Sequence, residues 1–181
     1  MQFTGICRIN FNMENTMNEA KLLPIVEQTL NKYKIAYKVL ECTPELADTA
    51  AFCENYNVSP DQAANTILVA SRKIEPTKYA VCVVLSTTRL DVNKKVSELL
   101  GAKKLSFADA EVTKELTGMM IGGVTAIGIS QLPIYIDSAV MKQPEVVMGS
   151  GNRSSKLLLK PAELKKLPNV QVIEGLAKPR S

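Results

Sequence analysis

The sequence contains no histidine and no tryptophan in 181 residues. Without histidine there is no Ser-His-Asp or Cys-His catalysis, no usual zinc ligand and no imidazole general base. Aromatic residues make up 5% of the chain, so stacking platforms for nucleic-acid bases are sparse. The four cysteines, Cys7, Cys42, Cys53 and Cys82, form no CxxC pair. With no secretory signal in view, they read as reduced thiols in a cytoplasmic protein. GxxxxGK[ST] is absent, and TGMMIGG follows a helical stretch where a dinucleotide fold needs a strand, so neither nucleotide-binding class fits. Charge is missing from one stretch in particular, the 21 residues 116–136. That length could span a bilayer. Gly118, Gly122, Gly123, Gly128 and Pro133 break it up, and Thr117, Thr125, Ser130 and Gln131 are scattered through it. Glycine and proline are poor helix formers, and lipid leaves no partner for exposed backbone. The stretch reads as a glycine-rich loop before a short buried strand, and no membrane partner is expected.

Hydrophobic residues make up 46%, enough for the core of one ordinary domain. Residues 1–16 read as an N-terminal extension, 17–177 as the domain and 178–181 as a tail. Apolar spacing predicts helices over 18–33 and 46–56. Residues 36–40, 66–71 and 79–86 read as strands. YAVCVVLS, at 79–86, is apolar on both faces and so belongs centrally in a sheet. Residues 72–78 read as a hairpin connection. Asp91 caps a helix that Gly101 stops, and Ser106 or Asp109 caps another to about residue 116. Strands follow over 133–136, 145–148 and 156–159, then a short helix over 161–167 and a last strand over 170–173. The irregular alternation predicts α+β with a mixed sheet. The net charge of +4 is uneven. From residue 150 onward seven cations face only Glu163 and Glu174. Such a stretch either meets phosphates or is a solvated surface.

Several residues are placed to carry chemistry. Closely spaced glycines let a backbone approach a ligand and can aim N–H groups at an oxyanion or phosphate. Asp137 directly follows the buried strand. Its carboxylate can accept from a substrate amine or hydroxyl, or cap the turn at Ser138-Ala139. Cys82 sits in an apolar run and reads as core. Nothing near Cys53 in the sequence would lower its pKa.

Five elements in register resemble the YbaK / prolyl-tRNA synthetase-associated domain family of aminoacyl-tRNA deacylases. They are AANTILVAS (63–71), RLDVNKKVSELLGAKKLSFAD (89–109), ELTGMMIGGVTAIG (115–128), LPIYIDSAVM (132–141) and VVMGSGNRSSKLLLKPAEL (146–164). The resemblance implies a mixed, partly barrel-like β-sheet surrounded by helices. It implies hydrolysis of the ester joining a wrong amino acid to a tRNA 3′ end, without a cofactor or metal. The family's GGVxPxG loop falls on residues 122–128, so Gly122 and Gly123 would contact the ester through their N–H groups. Val124, Thr125 and Gly128 would line the aminoacyl pocket. The family's strand-end aspartate falls on Asp137 and its GxG turn on Gly149, Ser150 and Gly151. Lys156, beyond that turn, would meet the tRNA end.

The chain departs from the family at two places. The lysine that the family carries early in the strand over 63–71, taken as needed for hydrolysis, is Asn65 here. Asparagine donates hydrogen bonds but brings no charge. Lys73, Lys94 and Lys95 are the nearby candidates to replace it. Ala126 stands where the family's loop has proline, which should loosen that loop. The expectation is a free-standing trans-editing deacylase with weak, salt-sensitive contact to the tRNA 3′ end, and an aminoacyl-tRNA synthetase as a candidate second partner. The alternative is a binding module that kept the pocket and lost the chemistry at Asn65.

Overall fold

Strand β3, Tyr79–Leu85, organises the molecule. Its alternate side chains enter two different cores. Val81, Val83 and Leu85 join a large cluster on one face. Ala80, Cys82 and Val84 join a smaller one on the other. The all-apolar run therefore sits where both faces are buried, as its sequence predicts. In this computed structural model residues 22–180 are described. The expected extension over 1–16 and Cys7 lie outside the described residues.

Five strands form the central sheet, in the order β5 (Leu105–Phe107), β2 (Ala64–Ser71), β3, β6 (Ile134–Asp137) and β9 (Val170–Ile173). The β2 strand pairs antiparallel with β3 and β5, while β3–β6 and β6–β9 are parallel. A second, antiparallel sheet has the order β1 (Lys38–Glu41), β8 (Ser155–Leu159) and β7 (Val146–Gly149). The two sheets meet where Ala63 bridges Val147. Among the described residues the sheets do not close into a barrel. The mixed α+β class holds.

Helix boundaries moved for local reasons. Helix α1 is Pro24–Lys32. Proline at its first turn fixes the start, because the residue before a proline is held extended. Helix α2 is Thr49–Tyr56 and is preceded by a 3₁₀ turn at Pro44–Leu46. The break between them lets Asp48 turn its carboxylate to Arg153, with Oδ1 3.0 Å from Nη1. The helix expected from Asp91 is a π turn, Val92–Val96, running into α3, Ser97–Leu100. Asp91 caps it, and Gly101 ends it in the left-handed conformation. Asp109 caps α4, Ala110–Thr117, whereas Ser106 lies in β5. Residues 161–167 form a 3₁₀ helix, Pro161–Lys166.

The C-terminal tail needs correction. Ala177–Pro179 forms β10, antiparallel to β4, Thr88–Leu90. Leu176 and Leu90 are buried in the smaller core beside this pair, which ties the segment down. No helix among the described residues is long and apolar enough to cross a membrane. The uncharged stretch runs from the end of α4 through a loop into β6, with Met119, Ala126 and Ile127 fully buried.

Candidate functional site

A cavity of about 320 Å³ opens between the two sheets. Strand β2 supplies one wall through Asn65 and Thr66. The second sheet faces it with Met148 and Gly149 from β7 and Lys156 from β8. Helix α2 adds Thr49 and Phe52, and the glycine-rich loop adds Gly122 and Val124. Of the residues expected at a site, Asn65, Gly122, Val124, Gly149 and Lys156 are brought together here.

Lys156 dominates the electrostatics. It is 6% exposed. Its Nζ donates to the carbonyls of Ala47 and Gly122, the latter at 2.6 Å. It also lies 5.8 Å from the centre of the Phe52 ring, within reach of a cation–π contact. An ammonium has three N–H donors, so one remains beyond these two carbonyls. Burial lowers the Lys156 pKa from its ordinary value, because a desolvated ammonium is disfavoured. The neighbouring thiols shift the other way. Burial pushes Cys42 and Cys53 up, against the pull of Lys156. Both are therefore poor nucleophiles at neutral pH. Cys82 is driven up to about 12 by burial in the core.

Across the cavity, Thr49 Oγ1 donates to Asn65 Oδ1 at 2.6 Å. That contact fixes the amide and leaves the Asn65 Nδ2 hydrogens for a ligand. The segment 47–49 thereby holds both Lys156, through a carbonyl, and Asn65, through a hydroxyl. Thr66 Oγ1 is buried in the same wall with no hydrogen-bond partner among the described residues. An unpaired buried hydroxyl costs about 1–3 kcal/mol, and a polar ligand atom would relieve it.

The glycines act by close approach. A Cβ on Gly122 would lie 1.9 Å from Arg153 Nη1, and its φ of +88° already favours glycine. Arg153 needs that space to reach Asp48 Oδ1 at 3.0 Å, Ile121 O at 2.8 Å and Pro44 O at 2.8 Å. A Cβ on Gly149 would lie 2.2 Å from Val124 O, and one on Gly123 would lie 2.3 Å from Asn152 O. Loop and turn thus interlock backbone to backbone, and Gly151 N donates to Gly123 O at 2.8 Å.

The remaining expected site residues lie outside the cavity. The Gly123 N–H donates to Met120 O at 2.9 Å, so it is not aimed at a ligand. Ser150 is buried, and its hydroxyl donates to Ser155 O at 2.9 Å. Gly151 packs on Leu23 and Val26 of the α1 region, and Gly128 on Ile25 and Met119. Thr125 is buried, with its Oγ1 accepting from Ile127 N at 3.4 Å. Of the two roles open to Asp137, the structure shows the cap at Ser138-Ala139. Its Oδ1 accepts from Ala139 N and its Oδ2 from Ala177 N, both at 2.8 Å. It caps α5, Ser138–Met141, anchors β10, and does not line the cavity. Lys73, Lys94 and Lys95 do not line it either. Thr49, Phe52 and Thr66, which line the cavity, and Arg153, which binds Ile121 O beside Gly122, carry no sequence signal for a site, because only the fold brings them there. Among the described residues no group of three or more His, Cys, Asp or Glu could hold a metal ion.

Residues 43–167 match the aminoacyl-tRNA editing domain. The chain is 23% identical over 164 residues to EbsC of Enterococcus faecalis, a candidate Cys-tRNA(Pro)/Cys-tRNA(Cys) deacylase, covering 89% of this chain and 95% of that one. The crystal structure of a candidate trans-editing enzyme for prolyl tRNA synthetase superposes with a TM-score of 0.70 at 26% identity. It covers 84% of this chain and 97% of its own. The hypothetical protein APE2540 shares the fold, with a TM-score of 0.75 at 22% identity over 85% of this chain and 99% of its own. The editing-domain match spans well over half of the sequence and includes every wall of the cavity, and the chain belongs to the aminoacyl-tRNA editing domain family.

Proposed function

We propose that this chain is an aminoacyl-tRNA deacylase in which Lys156 supplies the positive charge that Asn65 lacks. The observation that carries this reading is the buried Lys156 ammonium, bordering one cavity with Asn65 from the opposite sheet. The charge has moved from β2 to β8, yet it still serves the same space. Water adds to the ester carbonyl carbon, and the bond from that carbon to the ribose oxygen breaks. The amino acid leaves as a carboxylate, and the ribose hydroxyl regains a proton. Lys156 stabilises the negative charge that develops on the ester, and Asn65 Nδ2 and Thr66 Oγ1 orient polar atoms of the substrate. No histidine is needed, because an aminoacyl ester is already labile and positioning supplies much of the acceleration.

The cavity sits at the small end of ligand sites, which run from about 300 to 1,000 Å³. Its apolar lining includes Phe52, Leu68, Val124 and Val147. A small, weakly polar amino acid fits this space, in keeping with the cysteine named for EbsC. Editing of this kind is needed where side chains differ too little for one binding step to discriminate.

The second reading is a binding module without turnover, and it rests on Asn65. Release of amino acid from a panel of mischarged tRNAs separates the two. The deacylase reading expects release by the wild type and a loss of roughly ten- to a hundredfold in Lys156→Met. That corresponds to removing one charged hydrogen bond worth about 1.5–3 kcal/mol. No release by the wild type, with release gained in Asn65→Lys, supports the module instead.

A further inference from the structure

A second groove, of about 1,000 Å³, runs beside the cavity and shares Asn65, Ile67 and Phe107 with it. Its far side is built from β4 and β10, which bring Arg89, Lys178 and Arg180 to one surface. We propose that this groove holds the single-stranded 3′ end of the tRNA. Phe107 stacks the terminal base, and Arg89, Lys178 and Arg180 meet the phosphates behind it. The proposal rests on the deacylase reading above.

Three observations support it. First, the cavity is too small for a whole aminoacylated nucleotide, so the base must lie outside its mouth. Phe107 stands at that mouth, 57% exposed, on the boundary of both spaces. An exposed aromatic ring beside a basic groove is how single strands are gripped without reading their sequence. Second, the charges are arranged for an anion. Arg89 and Lys178 sit directly opposite each other in the β4–β10 register, a like-charge pairing that destabilises a strand pair on its own. Among the described residues Asp91 is the one carboxylate lining the groove, and it engages Lys178 at 2.7 Å. Arg180 holds Thr88 O through Nε at 3.2 Å, which leaves its terminal guanidinium nitrogens for a phosphate. Third, the segment that carries two of the three cations is anchored. Asp137 binds Ala177 N, and Leu176 is buried. The basic end of the chain is therefore a fixed wall of the groove.

The test is binding of a 5′-labelled, uncharged single-stranded RNA ending in CCA to the full chain, titrated over salt concentration. Arg89→Ala with Arg180→Ala should weaken binding at low salt. It should also lower the slope of log K against log salt by about 0.7 for each phosphate that is no longer neutralised. Phe107→Ala should weaken binding by roughly ten- to a hundredfold with the salt slope unchanged, and Phe107→Tyr should bind like the wild type. Equal binding and equal slopes in all variants would overturn the groove assignment, even if the protein deacylates tRNA. Groove-dependent binding with no deacylation of any tRNA would uphold the groove and sink the deacylase reading.

Discussion

In the proposed reading Lys156 on β8, and not a residue at position 65 on β2, presents the charge, and its buried setting makes it titrate differently from an exposed lysine. Lys156 is buried with carbonyl partners, and desolvation holds its pKa below the ordinary value near 10.5. Its charge is present below that lowered pKa and disappears as pH rises through it. Binding of a non-hydrolysable aminoacyl-adenosine analogue should therefore weaken with rising pH before an exposed lysine would titrate. In Lys156→Met that transition should be absent. Stability has the opposite sign. Between the lowered folded pKa and the ordinary value the unfolded chain binds more protons, so this group makes stability rise with pH across that window. At the residue scale the sequence is half legible. Asn65 stands out as a missing charge because the family that the chain resembles carries a lysine at that place in the strand. The replacements that the sequence suggests, Lys73, Lys94 and Lys95, are near it in the chain or in the next helix. Lys156 reads as a contact for the tRNA end, because nothing in a linear pattern reveals that β8 faces β2 across a cavity. Thr66 and Thr49 give no signal, since a threonine in a strand or at a helix start has ordinary local uses.

Between elements, the glycines and Asp137 do their work as joints. Gly149→Ala places a Cβ against Val124 O, and overpacking of this kind costs about 1–3 kcal/mol. A thermal melt should show Tm lower by several degrees. Deacylation should fall with it, because the same loop carries the Gly122 carbonyl that holds Lys156. Asp137→Ala removes the α5 cap and the acceptor for Ala177 N. Each loss costs about 1 kcal/mol, so Tm should drop by roughly 4–8 °C. That deficit belongs in Tm rather than in kcat/KM. A fall in kcat/KM with Tm unchanged would return Asp137 to the site. Strands are legible because their apolar pattern reports burial directly, most clearly in β3, whose unbroken apolar run marks two buried faces. Helix ends are less so. Asp48 looks internal to a helix, yet it is extended between a 3₁₀ turn and α2, and there it pairs with Arg153, over a hundred residues away. β10 reads as tail from Lys178 onward because the segment has no alternating apolar pattern. Its strand geometry comes from pairing with β4 and from Asp137.

For the molecule as a whole, the two sheets meet at one edge, and the cavity proposed to carry the chemistry lies along that seam. The cavity, the basic groove and the exposed Phe107 all border β2 or its neighbour β5. The uneven charge seen in the sequence takes on a shape in the fold, with Lys156 inside the cavity and Lys178 and Arg180 along the groove. Fold class and family are legible because five segments match in order and spacing. The site is only partly legible, since its walls come from elements far apart in the chain. The central claim is that Lys156 replaces the missing lysine, and a double-mutant cycle on the best mischarged tRNA tests it most directly. Wild type, Lys156→Met, Asn65→Lys and the double variant are compared by kcat/KM. The account predicts a loss of roughly ten- to a hundredfold in Lys156→Met, largely restored when Asn65→Lys is added to it. It also predicts little gain from Asn65→Lys alone. Turnover in Lys156→Met equal to the wild type would contradict it.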